Sequence, residues 1–380
     1  MKKKKILFRL RSMEMGGVQK VLLELLNRLD KDKFDISLLL NINQGDLKKE
    51  IPSHINLYYI TKGREELSNC RVLFFFQLIL RRFILELYNF FPILLRNKLN
   101  NVPDIEIAFM HFNLPGLVNS PFKSSKKINW FHSDIRFFRS KKQAENIIMY
   151  MKQCDISVFV SETTYQNVEL YSNNAISNGI CIYNIIDYKK IISKAAESVS
   201  DYKMLMGKKH IFVSTGRLVF QKGYDVLLEA HTELIKEGVD HYIFIVGQGI
   251  DYEKLKEKIS TKRVDSTFIL LGNQENPYPY MAAADYYIQP SRYEAYPLAI
   301  GEALALNKPI ISTDSGGIRE MIIHNETGLI VNFSKEDLKE AMKSFIEQKG
   351  LVEYIKKNQT KFDFDVHNEQ IYQKVQNILS

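Results

Sequence analysis

Short, β-branched apolar runs alternate with amphipathic helical segments along this chain, and the alternation occurs twice. Such runs can bury both faces only as strands of a parallel sheet covered by helices. In the first series strands are expected at residues 5–10, 34–41, 55–60, 104–110, 127–132, 156–161 and 180–186. The pattern restarts near residue 210, with strands expected at 210–215, 242–246, 267–271, 286–289, 309–313 and 329–331. After the first strand, Val18, Val21, Leu22, Leu25, Leu26 and Leu29 recur at three- and four-residue steps and form one apolar helical face. Further helices are expected at 225–236 and 298–306. Between the two series lies a polar, Ser- and Lys-rich stretch, 188–209, which reads as a linker.

A chain of 380 residues is too long for one ordinary core. The expected fold class is therefore α/β, with two Rossmann-like parallel-sheet domains facing a central cleft. Ligands of such sheets bind beyond the carboxyl ends of the strands. Hydrophobic residues at 45% and charged residues at 25% are ordinary globular values and argue against disorder. The three cysteines, Cys70, Cys154 and Cys181, are odd in number and far apart. They offer neither a disulfide framework nor metal-ligand spacing, which fits a reducing cytosol.

Met1 is followed by four lysines, but the apolar run Ile6, Leu7 and Phe8 is broken at once by Arg9 and Arg11. It reads as a first buried strand rather than a signal peptide. No uninterrupted apolar stretch reaches the ~18 residues that span a bilayer. The net charge of +8 is uneven. Residues 1–190 hold 29 of the 52 Lys and Arg and 18 of the 44 Asp and Glu, leaving 23 cations and 26 anions for the rest. A basic first half points to an anionic partner, such as a membrane surface, a phosphorylated lipid or a nucleic acid, unless its lysines merely solvate the surface. Residues 72–99, from Val72 to Leu99, break the alternation. They are strongly apolar but interrupted by Arg81, Arg82, Glu86, Arg96 and Lys98. Those charges exclude a simple span and leave two readings: an interfacial membrane helix, or a buried domain helix with solvated arginines.

The stretch 291–309 is the most informative chemically. Pro297 precedes a helix starting at Leu298, where its missing N–H costs nothing. The free amides of that first turn suit an anion such as a phosphate. Glu294 lies in the loop before the turn, and Glu302 lies about one turn inside the helix. Carboxylates beside a phosphate site suit the hydroxyls of a sugar or a ribose; the plain alternative is a helix start decorated with glutamates. Gly216 and Arg217 follow an expected strand, and Lys222 comes five residues after Arg217. Cations there could neutralise a diphosphate leaving group. Gly247 and Gly249 follow another strand without the third glycine of a dinucleotide fingerprint. They read as positions where backbone approaches a ligand. Gly316 and Gly317 form a similar strand-to-helix turn, and Gly16 and Gly17 open the first helix. His132 ends a strand; such a histidine taken alone is more often structural than catalytic.

Together these elements resemble the retaining glycosyltransferases of family 4, with the GT-B fold. The family pattern of two glutamates with seven residues between them is matched by Glu294, Ala295, Tyr296, Pro297, Leu298, Ala299, Ile300, Gly301, Glu302 and Ala303. The resemblance implies that Glu294 binds donor-sugar hydroxyls and Glu302 the ribose, and that Arg217 and Lys222 clamp the diphosphate. It also matches Gly316, Gly317 and Glu320 to the Gly-Gly turn, Gly16 and Gly17 to the N-terminal glycine loop, and His132 to a cleft histidine. The segment from Tyr183 through Asn184 to Asp187 resembles the interdomain crossing. Ala295 stands where the family usually has glycine, and Tyr296 where it has phenylalanine.

The domains implied are an acceptor-binding one at 1–188 and a donor-binding one at 189–366, with the C-terminal helix at 367–380 packing back on the first. The reaction implied moves a sugar from a nucleoside diphosphate to an acceptor hydroxyl with retention, without metal or other cofactor. The basic first half and residues 72–99 favour a lipid-linked or polysaccharide acceptor of surface-glycan synthesis, peripheral membrane contact, and a cytoplasmic enzyme at the inner face of the plasma membrane. A sugar phosphorylase or epimerase of the same fold is the alternative. A nucleic-acid partner is not expected, because zinc spacing and an aromatic RNA-binding signature are both missing.

Overall fold

The computed structural model describes residues 2–197 and 210–380. The chain divides into two compact units, one of Met1–Ile185 with Gln370–Ser380 and the other of Ile186–Glu369.

The first unit is built on a seven-stranded sheet: β1 Lys4–Leu10, β2 Phe34–Asn43, β3 Asn56–Lys62, β4 Ile105–Ala108, β5 Lys126–Phe131, β6 Ile156–Phe159 and β7 Gly179–Cys181. The second is built on six strands: β8 Ile211–Thr215, β9 Tyr242–Val246, β10 Phe268–Gly272, β11 Tyr286–Gln289, β12 Ile310–Thr313 and β13 Leu329–Val331. The sheet orders are β3-β2-β1-β4-β5-β6-β7 and β10-β9-β8-β11-β12-β13. The pairings are parallel throughout, as between β1 and β2 or between β8 and β9. Each expected strand is present with its ends displaced by two residues at most, except the seventh, expected to reach residue 186, which stops at Cys181. Their near-continuous apolar character follows from burial on both faces. In the second unit, Phe212, Ile243, Ile245 and Ile288 pack with Leu227, Leu228 and Leu234 of the helix Tyr224–Lys236.

In each sheet the order reverses beside the first strand, between β1 and β4 and between β8 and β11. That reversal opens a crevice at the carboxyl ends, where ligands of doubly wound sheets bind. The helix Phe364–Leu379 runs from the second unit into the first. Within the first unit Tyr372 donates to the Arg28 carbonyl at 2.9 Å, and Lys126 donates to the Ile378 carbonyl at 2.9 Å.

Two expectations are corrected. The stretch 188–209 is not all linker: Tyr188–Ala195 is a helix, capped by the Asp187 side chain, which accepts from the Lys190 amide. Residues 198–209 lie outside the described residues. Residues 72–99 do not form a buried helix. Arg71–Phe90 is a single helix, and none of its residues is buried.

Candidate functional site

The candidate site of the second unit is assembled from loops at the carboxyl ends of β8, β9, β11 and β12. Glu294 follows β11 and is only 7% exposed. Three donors converge on one of its oxygens. Lys222 Nζ lies 2.7 Å from Oε1, Ser291 Oγ 2.7 Å and Gln289 Nε2 3.3 Å. Among the described residues nothing donates to Oε2. The carboxylate is thus held by one oxygen and offers the other to a ligand. Such charge-assisted bonds are roughly twice as strong as neutral ones, so they orient the group firmly.

The loop carrying Lys222 is tied to the loop carrying Glu294 by contacts that the sequence does not signal. Arg292 makes a bidentate pair with Asp225, at 2.8 Å on each nitrogen, and donates to the Phe220 carbonyl at 2.6 Å. Its guanidinium lies 3.9 Å from the centroid of the Phe220 ring. Gln221 Nε2 donates to the Tyr293 carbonyl at 2.9 Å. The Ser291-x-x-Glu294 spacing is a visible signal for one of the missed partners, because such spacing lets a side chain bond locally. The Arg292–Asp225 pair spans 67 residues and leaves no local trace.

Gly316 and Gly317 shape the Glu294 loop from the other side. Gly316 has φ of +57°, and a Cβ there would sit 1.9 Å from the Glu294 carbonyl oxygen. The Gly317 amide donates to the Ala295 carbonyl at 2.9 Å. Only glycine meets both the left-handed backbone and the close approach. Gly247 joins two of the site's loops. Its φ is +151°, and a Cβ would lie 1.9 Å from the Gly216 carbonyl oxygen. The backbone it admits is the protein's own, so it locks the loop after β9 onto the loop after β8.

Helix Leu298–Ala305 begins after Pro297 with no side-chain cap, so its amide end is available to an anion. A Cβ on its Gly301 would meet Ile186 Cδ1 at 2.1 Å, so the helix rests on the crossing segment. That segment is itself clamped by Asn368, which accepts from the Ile186 amide at 3.1 Å and donates to its carbonyl at 2.8 Å. Glu302, 8% exposed, accepts from Tyr278 Oη at 3.0 Å. Arg217 is exposed and, among the described residues, its side chain makes no hydrogen bond or ion pair. A cation held at a strand end without a protein counter-charge is ready for an anionic ligand.

The structure therefore brings together Gly216, Lys222, Gly247, Glu294, Ala295 and Gly316 in the second unit, with Arg217 beside Gly216 in the chain. Tyr296, Pro297, Leu298 and Glu302 follow on the same loop and helix. Gly16, Gly17 and His132 belong to the first unit. Gly16 precedes the helix Gly17–Arg28, which likewise has no side-chain cap. His132 follows β5. Its ring is nearly parallel to Trp130 and lies 4.9 Å from Phe109, with Nε2 enclosed and unpartnered. Burial first, and then the neighbouring His111, push its pKa down to about 3. The ring is neutral at ordinary pH and can only exchange hydrogen bonds. Among the described residues no group of three His, Cys, Asp or Glu side chains is placed to hold a metal ion.

Two doubly wound parallel sheets in this order make the GT-B fold. Solved structures of that fold superpose on nearly the whole chain. HepE of Anabaena, in complex with UDP-glucose, aligns at TM-score 0.75 and 18% identity over 98% of this chain and 99% of its own. WaaG, a glycosyltransferase involved in lipopolysaccharide biosynthesis, aligns at TM-score 0.73 and 14% identity over 99% of each chain.

In sequence, residues 202–362 match the family described as glycosyl transferases group 1. An uncharacterized glycosyltransferase of Haemophilus influenzae is 24% identical over 83% of this chain and 82% of its own length. The N-acetylgalactosamine-N,N'-diacetylbacillosaminyl-diphospho-undecaprenol 4-alpha-N-acetylgalactosaminyltransferase of Campylobacter jejuni is 29% identical over 48% of this chain and 49% of its own. This chain thus spans about half the length of that relative, and 53% of an uncharacterized glycosyltransferase of Methanocaldococcus jannaschii. The matches in sequence are to proteins described as glycosyltransferases, and the solved structures share the GT-B fold.

Proposed function

We propose that the protein is a retaining glycosyltransferase of the family-4 type, moving a sugar from a nucleoside diphosphate to an acceptor hydroxyl. The observation that carries this reading is the one-sided hold on Glu294, whose three donors all meet Oε1. Oε2 then accepts hydroxyls of the donor sugar, and Glu302 accepts from the ribose. Arg217, Lys222 and the amide end of helix Leu298–Ala305 stabilise charge growing on the leaving phosphate. The leaving phosphate oxygen takes the acceptor's proton as the new glycosidic bond forms on the same face, so the enzyme supplies no base. The reading uses no metal or other cofactor.

The acceptor in this reading is a lipid-linked or polysaccharide intermediate of a cell-surface glycan. The name of the Campylobacter relative, which specifies a diphospho-undecaprenol acceptor, and the basic first half support it. Such an acceptor places the enzyme at the inner face of the plasma membrane. A thermal-shift panel of UDP-, GDP-, ADP- and dTDP-sugars tests the donor reading. A ligand at 100 times its Kd adds about 2.7 kcal/mol to native stability, so one base should stand out. UDP is the first choice, since the HepE structures hold UDP and UDP-glucose. No shift with any nucleotide sugar would overturn the reading.

A further inference from the structure

Helix Arg71–Phe90 is a surface feature that sugar transfer does not explain. Its inner side is half-buried through Phe74, Gln77, Leu78, Arg81, Ile84 and Tyr88. Tyr88 packs against the cluster of Leu7, Leu39, Leu95 and Phe122. The opposite ridge carries Val72, Phe76, Ile79, Phe83 and Phe90, exposed by 66%, 62%, 51%, 63% and 77%. Phe75, Leu73 and Leu80 extend this ridge sideways and are all more than half exposed. At 100° per residue the apolar arc covers about 160° of the helix surface, interrupted by Glu86 alone. Folding in water leaves so much contiguous apolar surface uncovered only where something else covers it.

We infer that this helix docks flat on an anionic lipid surface, with its phenylalanine ridge in the acyl boundary and Arg71 and Arg82 at the headgroups. The arrangement extends the proposed function to the element that makes membrane contact, yet it needs nothing from the donor site. Three observations select lipid over a second copy of the chain. The arc is too broad for the narrow seam of a helix pair and matches an interfacial helix. Arg71 and Arg82 both border one edge of the arc, so two copies in contact would bring like charges together. Their unit is also the basic one: residues 1–190 carry 29 Lys and Arg against 18 Asp and Glu. The helix lies in the surface and does not cross it, since no described helix is long and apolar enough to span.

The test is flotation of the full chain with vesicles of phosphatidylglycerol and phosphatidylcholine, or of phosphatidylcholine alone, at low and high salt. The expected result is flotation with the anionic vesicles that weakens as salt rises and with neutral lipid. The variant Phe76→Ser, Ile79→Ser and Phe83→Ser should lower partitioning about a hundredfold. It should keep the unfolding midpoint and the nucleotide-sugar thermal shift, because all three side chains face solvent. Failure to float on anionic vesicles at low salt overturns the inference, as does unchanged flotation of the triple variant. A dimer in light scattering that the triple variant abolishes, without flotation, assigns the face to a second copy instead. A missing nucleotide-sugar shift with intact flotation overturns the donor reading alone.

Discussion

Replacing Glu294 by glutamine separates the two halves of its role. The substitution preserves shape. With the amide oxygen in the Oε1 position, Lys222, Ser291 and Gln289 keep their acceptor at 2.7, 2.7 and 3.3 Å. The amide nitrogen then takes the place of Oε2 and turns an open acceptor into a donor. The stability cost is the difference between a charged and a neutral acceptor for Lys222, about 1 kcal/mol. For a unit of this size that lowers the midpoint by about 2–4 °C. The catalytic cost is larger, because a hydroxyl that donated to Oε2 now faces a donor. Losing one such preorganised partner costs about 2.7–4 kcal/mol, or about 10²–10³ in kcat. The alanine variant should lose comparable activity but more stability, since it leaves a mostly buried Lys222 without its counter-charge. Calorimetric unfolding together with a coupled nucleoside-diphosphate release assay measures both costs. A Glu294→Gln enzyme with kcat within threefold of the parent would refute the assignment of Oε2 to the donor. So would an activity loss explained wholly by a collapsed midpoint.

The remaining predictions concern charge. Arg217→Ala should leave the unfolding free energy within about 0.5 kcal/mol of the parent, since an exposed, unpaired arginine side chain contributes little to folding. It should weaken diphosphate-containing donors at least about tenfold in titration calorimetry while free glucose is unaffected; equal donor affinity in the variant would remove Arg217 from the site. In the second unit the buried His231 shares a 2.7 Å contact with His241 and a 3.0 Å contact with Thr267 Oγ1. Burial, aided by His241, lowers its pKa to about 2, so between that value and 6.5 the unfolded chain binds a proton that the folded chain refuses. Stability is therefore complete above pH 6.5 and falls as the pH drops, by about 1.4 kcal/mol per unit for this histidine. Denaturant unfolding of the parent and of His231→Gln between pH 7 and 5 checks this, and an unchanged pH slope in the variant would exclude His231 as its source.

The strands were legible because a parallel sheet covered on both faces demands long apolar runs, and those survive as simple local pattern. The loop of Glu294 and the helix start at Pro297 were legible for the same reason, since spacing and proline chemistry are local. Gly247 shows where local reading stops. Its glycine signals a close approach, but only the three-dimensional path shows that the Gly216 carbonyl is the approaching group. Helix Tyr188–Ala195 lay hidden in a polar stretch because lysines and serines on its outer face masked the apolar positions, of which Ile191 is the buried one.

Sequence by itself determined the alternation of strands and helices and the break between two sheets. These depend on periodicity and backbone chemistry within a few neighbours. Tertiary structure alone decided which oxygen of Glu294 is held and which is open, because its partner Lys222 arrives from 72 residues away. It alone paired Arg292 with Asp225. It also buried Glu106 between Arg9 and Lys127 of neighbouring strands while leaving Phe75, Phe76, Phe83 and Phe90 of the helix Arg71–Phe90 in solvent. Burial is a property of what packs against a residue, and hydropathy along the chain does not contain that information.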